Sequence, residues 1–135
     1  MASQTLKQDM ASDFYANVLD TGAFAETVTF YPALGGTARR IVMAVSLGQH
    51  PEEGELIDTN TEEIRVLVGR TESHAKGGID VPYKDATTAD AIRRDDDTET
   101  QRFAFTGDIL SETPYSLELR FERPKPVRLG ARAGR

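Results

Sequence analysis

Residues 24–47 read FAETVTFYPALGGTARRIVMAVSL. Phe24, Val28 and Phe30 alternate with Thr27, Thr29 and Tyr31, and Ile41, Met43, Val45 and Leu47 alternate with Val42 and Ala44. A period of two sends successive side chains to opposite faces, so each run predicts a strand with one apolar face. Between them Pro32 to Thr37 contains Gly35-Gly36, two residues free to adopt positive φ. Two alternating runs around such a turn predict a β-hairpin.

The same alternation returns downstream. Ile64, Val66 and Val68 mark a strand within Thr61 to Arg70. Phe103 and Phe105 mark one within Gln101 to Thr106, and Tyr115, Leu117, Leu119 and Phe121 mark a last one. Ile79 to Tyr83 reads as a short edge strand broken by Pro82, which has no N–H to give a ladder. Asp85 to Thr100 reads mostly as loop, with a strand or turn near Ala91-Ile92. Pro124 and Pro126 stop the sheet.

Upstream of the hairpin the period is helical. Leu6, Met10, Phe14 and Val18 recur every four residues, which predicts a helix over about residues 5–20. Thr5 and Gln8 are spaced as a capping box, and Gly22 can end the helix. One short helix and five or six one-sided strands predict a mainly β fold, a small antiparallel β-barrel or sandwich. Residues 1–122 form the domain and 123–135 an extended C-terminal arm. The stretches 48–63 and 71–100 are long for loops inside a compact domain, a length more usual for functional segments.

Composition narrows the function. The 135 residues include no Cys, which removes disulfides, thiolate metal sites and a Cys nucleophile. No apolar run reaches the roughly 18–20 residues that span a bilayer, and the opening residues lack the order of a signal peptide, so a cytoplasmic site of synthesis is expected. The net charge of −6 is unevenly spread. Residues 120–135 carry six basic side chains and one acid, +5, which leaves residues 1–119 at −11. An acidic body does not suit general binding to a phosphate backbone.

Motifs for catalysis are few. His50 and His74 are the two histidines, and no metal-binding spacing links them. Asp95-Asp96-Asp97 with Glu99 lacks the spacing and glycine of a calcium loop. Glu52, Glu53 and Glu55 follow Pro51 in a polar stretch, where no dry pocket would raise a carboxyl pKa. No phosphate-binding glycine loop and no Gly-x-Ser-x-Gly motif occurs. No catalytic residue, metal or cofactor is expected. The candidates are instead partner-binding residues: basic Arg123, Lys125, Arg128, Arg132 and Arg135 on the arm, and acidic Glu52, Glu53, Glu55, Asp95, Asp96 and Asp97 on loops that a neighbour's arm could meet. The prolines at 124 and 126 keep the start of the arm extended.

An N-terminal helix containing Asp13-Phe14-Tyr15, the run Gly22 to Phe30 leading into the first strand, and the hairpin into Ile41–Leu47 resemble the small head–tail joining proteins of long-tailed bacteriophages. Pro82 with Ala89-Asp90-Ala91-Ile92 resembles the segment that precedes the last strand pair in that family, with Ala89 where the family has Gly. The resemblance implies a β-barrel behind a short helix and a structural, non-enzymatic virion protein of the neck. It implies a six- or twelve-fold ring of copies between portal and tail, with DNA only passing through the lumen and no membrane involved. The competing expectation is a stand-alone β-barrel that binds a ligand or peptide.

Overall fold

The computed structural model describes residues 6–22, 25–47 and 61–124. Helix α1 covers Leu6–Asp13 and continues as a π-helical stretch, Phe14–Val18. Six strands follow: β1 (Glu26–Tyr31), β2 (Arg39–Leu47), β3 (Thr61–Gly69), β4 (Ala91–Arg94), β5 (Phe103–Glu112) and β6 (Ser116–Pro124). They close into a barrel in the order β1-β2-β3-β6-β5-β4, every neighbour antiparallel. The fold is therefore the barrel, not the sandwich.

The expected β1–β2 hairpin is present, and Gly35 and Gly36 take φ of 96° and 100° in its turn. Alternate residues of the strands point inward and fill the interior. Val28, Phe30, Ile41, Met43, Ile64, Val66, Val68, Ile92, Phe103, Phe105, Leu117, Leu119 and Phe121 are all buried in one cluster. Side chains of this size fill a small barrel completely, which makes it a core and not a channel.

Two expectations change. Ile79 to Tyr83 is not a strand. Ile79 instead drops its side chain into the core, and closure falls to β4, at the place where a strand or turn was expected. Strand β4 is short. It meets β1 over Val28–Tyr31 and β5 only through Ala91↔Ala104 and Ile92↔Phe103. Asp90 reinforces this seam. Its backbone carbonyl accepts from Phe105 N, and its buried carboxylate accepts from Ala33 N and Tyr83 N, both at 2.8 Å.

The second change is in the helix. The four-residue stripe describes its buried face only in part: Phe14 is buried and Val18 packs beside it, but Met10 is 39% exposed, and Tyr15 and Leu19, off the stripe, are buried. The wide π turn, with Leu19 N donating to Phe14 O, brings residues five apart onto one side. That side packs on Val42, Ala44, Leu67 and Tyr115, outside the barrel wall. Thr5 and the side chain of Gln8, the expected capping box, lie outside the described residues.

Candidate functional site

Strand direction gives the barrel two unlike ends. Glu26, Leu47, Thr61, Arg94, Phe103 and Pro124 all lie at one end, as the pairs Leu47↔Ile64 and Thr61↔Pro124 and the strand directions require. The β1–β2 and β5–β6 turns lie at the other. Towards the first end the inward-facing positions change from apolar to charged. Strand β1 ends its inward series Phe30, Val28 with Glu26, β3 precedes Ile64 with Glu62, and β6 follows Phe121 with Arg123. An inward charge is tolerated only with a partner, since an isolated one would lose its hydration uncompensated.

Each charge has one. Arg94 makes a two-pronged contact with Glu26, both hydrogen bonds at 2.8 Å. Arg123 donates from Nε to Glu62 at 2.7 Å and from its NH1 to Asp97 at 2.5 Å and to the Gln101 carbonyl at 3.0 Å. Its guanidinium lies 4.1 Å over the Phe103 ring. The Arg123 and Asp97 side chains are each only 8% exposed. Burial pushes the Asp97 carboxyl up, but the hydrogen bonds from Arg123 and the Glu99 amide outweigh it and hold the pKa below the usual value. Arg123 is thus a plug in the barrel mouth that straps residues 95–102 to the wall.

The expected partner-binding residues divide accordingly. Arg123 belongs to the barrel wall and not to the arm, because β6 continues through Pro124. The alternation Leu117, Leu119, Phe121 carries on to position 123 and contained that signal. Asp97 meets Arg123 of its own chain, and Asp95 meets Arg40 through two hydrogen bonds of 2.6 and 2.5 Å. Asp96 is exposed at the loop tip. Glu52, Glu53, Glu55, Lys125, Arg128, Arg132 and Arg135 lie outside the described residues. The described residues that flank them, Leu47, Thr61 and Pro124, sit at the same charged end as Asp95–Asp97.

His74 serves the helix. Its ring stacks on Tyr15 at 3.6 Å between centroids, and its Nδ1 accepts from Lys76 N. Lys76 donates to the Tyr15 and Leu19 carbonyls, each at 2.7 Å, capping the helix end from another part of the chain. Tyr15 Oη accepts from Thr71 N at 3.1 Å and donates to Gly77 O at 3.0 Å. Burial raises the Tyr15 pKa. Sequence spacing could not reveal this cluster, because its members are 56 to 62 residues apart. His50 lies outside the described residues. Among the described residues no group of three or more His, Cys, Asp or Glu is arranged to hold a metal ion. Among them also, no helix is long and apolar enough to cross a membrane.

The chain defined by these features is a closed six-stranded antiparallel barrel with a flanking helix and one charge-plugged end. Compared with known families, curated proteins and solved structures, it finds no match.

Proposed function

We propose that the chain is a structural assembly subunit, a head–tail connector or adaptor of a bacteriophage neck. It would act without catalysis, with copies of itself in a ring and with portal and tail proteins as neighbours, in the virion after synthesis in the bacterial host cytoplasm. One observation carries the reading. Of the stretches expected to make contacts, 48–63 and the arm 123–135 adjoin one end of the barrel together with residues 95–100, while the rest of 71–100 starts from the opposite end, after Gly69. A subunit whose candidate contact segments share one end can present one continuous face to a neighbour, as a ring with heterologous contacts requires. The filled interior also counts against the competing module that would hold a ligand inside the barrel.

The lumen of such a ring must let DNA pass, and an acidic body would not grip phosphates. Arg93, Arg94 and Arg102 are not loose basic groups: Arg94 is held by Glu26, Arg102 lies 3.5 Å over the Tyr31 ring, and Arg93 donates to the Thr100 and Asp97 carbonyls. The test is complementation. In a lysate lacking the protein, completed heads and tails should accumulate unjoined, and the purified chain should join them. Joining at the same rate without it would sink the proposal.

A further inference from the structure

Residues 95–102, Asp-Asp-Asp-Thr-Glu-Thr-Gln-Arg, join β4 to β5 at the charged end and contain no apolar residue. They add nothing to the apolar core, which resumes with Ile92 before them and Phe103 after them. Among the described residues a single backbone–backbone bond holds the segment, Asp97 N to Arg94 O at 3.2 Å. Its other ties come from side chains. Arg40 of β2 donates to Asp95 at 2.6 and 2.5 Å. Arg123 of β6 donates to Asp97 at 2.5 Å and to the Gln101 carbonyl at 3.0 Å. Arg93 of β4 donates to the Thr100 and Asp97 carbonyls, both at 3.4 Å. Three arginines from three strands thus pin a segment that apolar packing does not hold.

Regions open locally at a cost set by the apolar contacts and backbone bonds they give up. The wall cannot open without exposing the apolar cluster, whereas this segment exposes none of it. Moving away from Arg40 and Arg123 also returns the parted charges to water, which offsets part of the attraction lost. Arg123 is not stranded by the departure, because its Nε bond to Glu62 and its place over the Phe103 ring remain. Closure of the wall does not need the segment either. Strands β4 and β5 meet through Ala91↔Ala104 and Ile92↔Phe103, and Phe105 N donates to Asp90 O, all outside it.

We infer that residues 95–102 are a strap, latched by Arg40 and Arg123, that swings away from the charged end as one unit while the barrel stays closed. Latched, the strap keeps Asp95 and Asp97 engaged within the chain. Open, it frees both carboxylates together at the end of the barrel where β6 finishes. The two acids first expected to meet a neighbour are therefore masked in the closed state and released by one local motion. The inference goes beyond the neck reading and does not depend on it.

The test is native-state hydrogen exchange of the full chain, read by NMR. The amides of Asp97 and Glu99 report on the strap, the second because it donates to the Asp97 carboxylate at 3.0 Å. They should exchange at least about tenfold faster than the amides of the β3–β6 ladder. Urea should speed the ladder amides and leave these two within about twofold, because opening the strap exposes little surface. Arg123→Met should speed exchange at both at least about tenfold. That change also weakens the barrel, so Arg40→Met is the second variant. Its pair with Asp95 is half exposed, and exchange in the strap should rise about threefold. Arg65→Met breaks a pair with Glu63 elsewhere on the wall and should leave the strap unchanged. Rates and urea dependence equal to those of the ladder overturn the strap, and so does exchange without protection in the unaltered chain. Arg40→Met and Arg123→Met without effect, or an equal effect of Arg65→Met, overturn the latch.

Discussion

Gly69 illustrates how a single position can decide the docking of an element. A Cβ built there would lie 2.2 Å from Tyr15 Oη and 2.3 Å from Cζ. Gly69→Ala must therefore push Tyr15 out of its bonds to Thr71 and Gly77, and a loss of about 1–3 kcal/mol is expected for such overpacking. Denaturant midpoints check it. In a Tyr15→Ala background the same substitution should cost little, since the clash is gone. Arg123 is the second such residue. Arg123→Met leaves Asp97 and Glu62 without their base, and a loss of about 3–5 kcal/mol is expected for breaking a buried pair. The pH dependence follows from the lowered carboxyl pKa values of Asp97 and Asp95. A carboxyl that binds its proton less tightly when folded adds stability above its unfolded pKa, about 3.9, and loses it as pH falls through the folded value. The urea midpoint should drop on acidification below about pH 4. Arg123→Met should flatten that drop, and an unchanged acid limb would contradict the pairing.

At the scale of elements, the strands β1, β2, β3 and β6 were legible because their inward residues keep a strict period of two. The short strand β4 was only half legible. Four residues, two of them arginines, make a weak pattern, and their strand geometry comes from pairing with β1 and not from propensity. The outer half of β5 was missed because Gly107 breaks the alternation after Phe105. That glycine offers a test: at φ 95° a side chain is strained, so Gly107→Ala should cost about 1–2 kcal/mol in thermal or chemical unfolding. The helix was placed correctly along the chain, but its buried face was only half legible, through Phe14 and Val18, since a π turn that adds Tyr15 and Leu19 leaves no mark in a four-residue spacing. Of the candidate site, the charges themselves were visible and their partners were not. Nothing in the local sequence tells that Asp97 faces Arg123, 26 residues on, and not a neighbouring molecule.

For the whole molecule, the division into a core-bearing wall and a basic segment beyond it makes a direct prediction. The last buried apolar residue of the core cluster is Phe121, and β6 ends at Pro124. A chain cut after Pro124 should melt within about 1 kcal/mol of the full chain, as surface changes do. If the proposed neck role holds, it should nevertheless fail to join heads to tails. A large fall in melting temperature would show that residues 125–135 belong to the fold and not to assembly.

The narrow contact between β4 and β5 has a mechanical consequence. Two residue pairs and the bond from Phe105 to Asp90 are all that close the wall there, whereas β3 and β6 share nine pairs from Thr61↔Pro124 to Gly69↔Ser116. Under load the wall should part along this line first, leaving an intact open sheet, β4-β1-β2-β3-β6-β5, with its long ladders unbroken. Pulling a single molecule from anchors on β4 and β5 should show one low-force step before the main rupture.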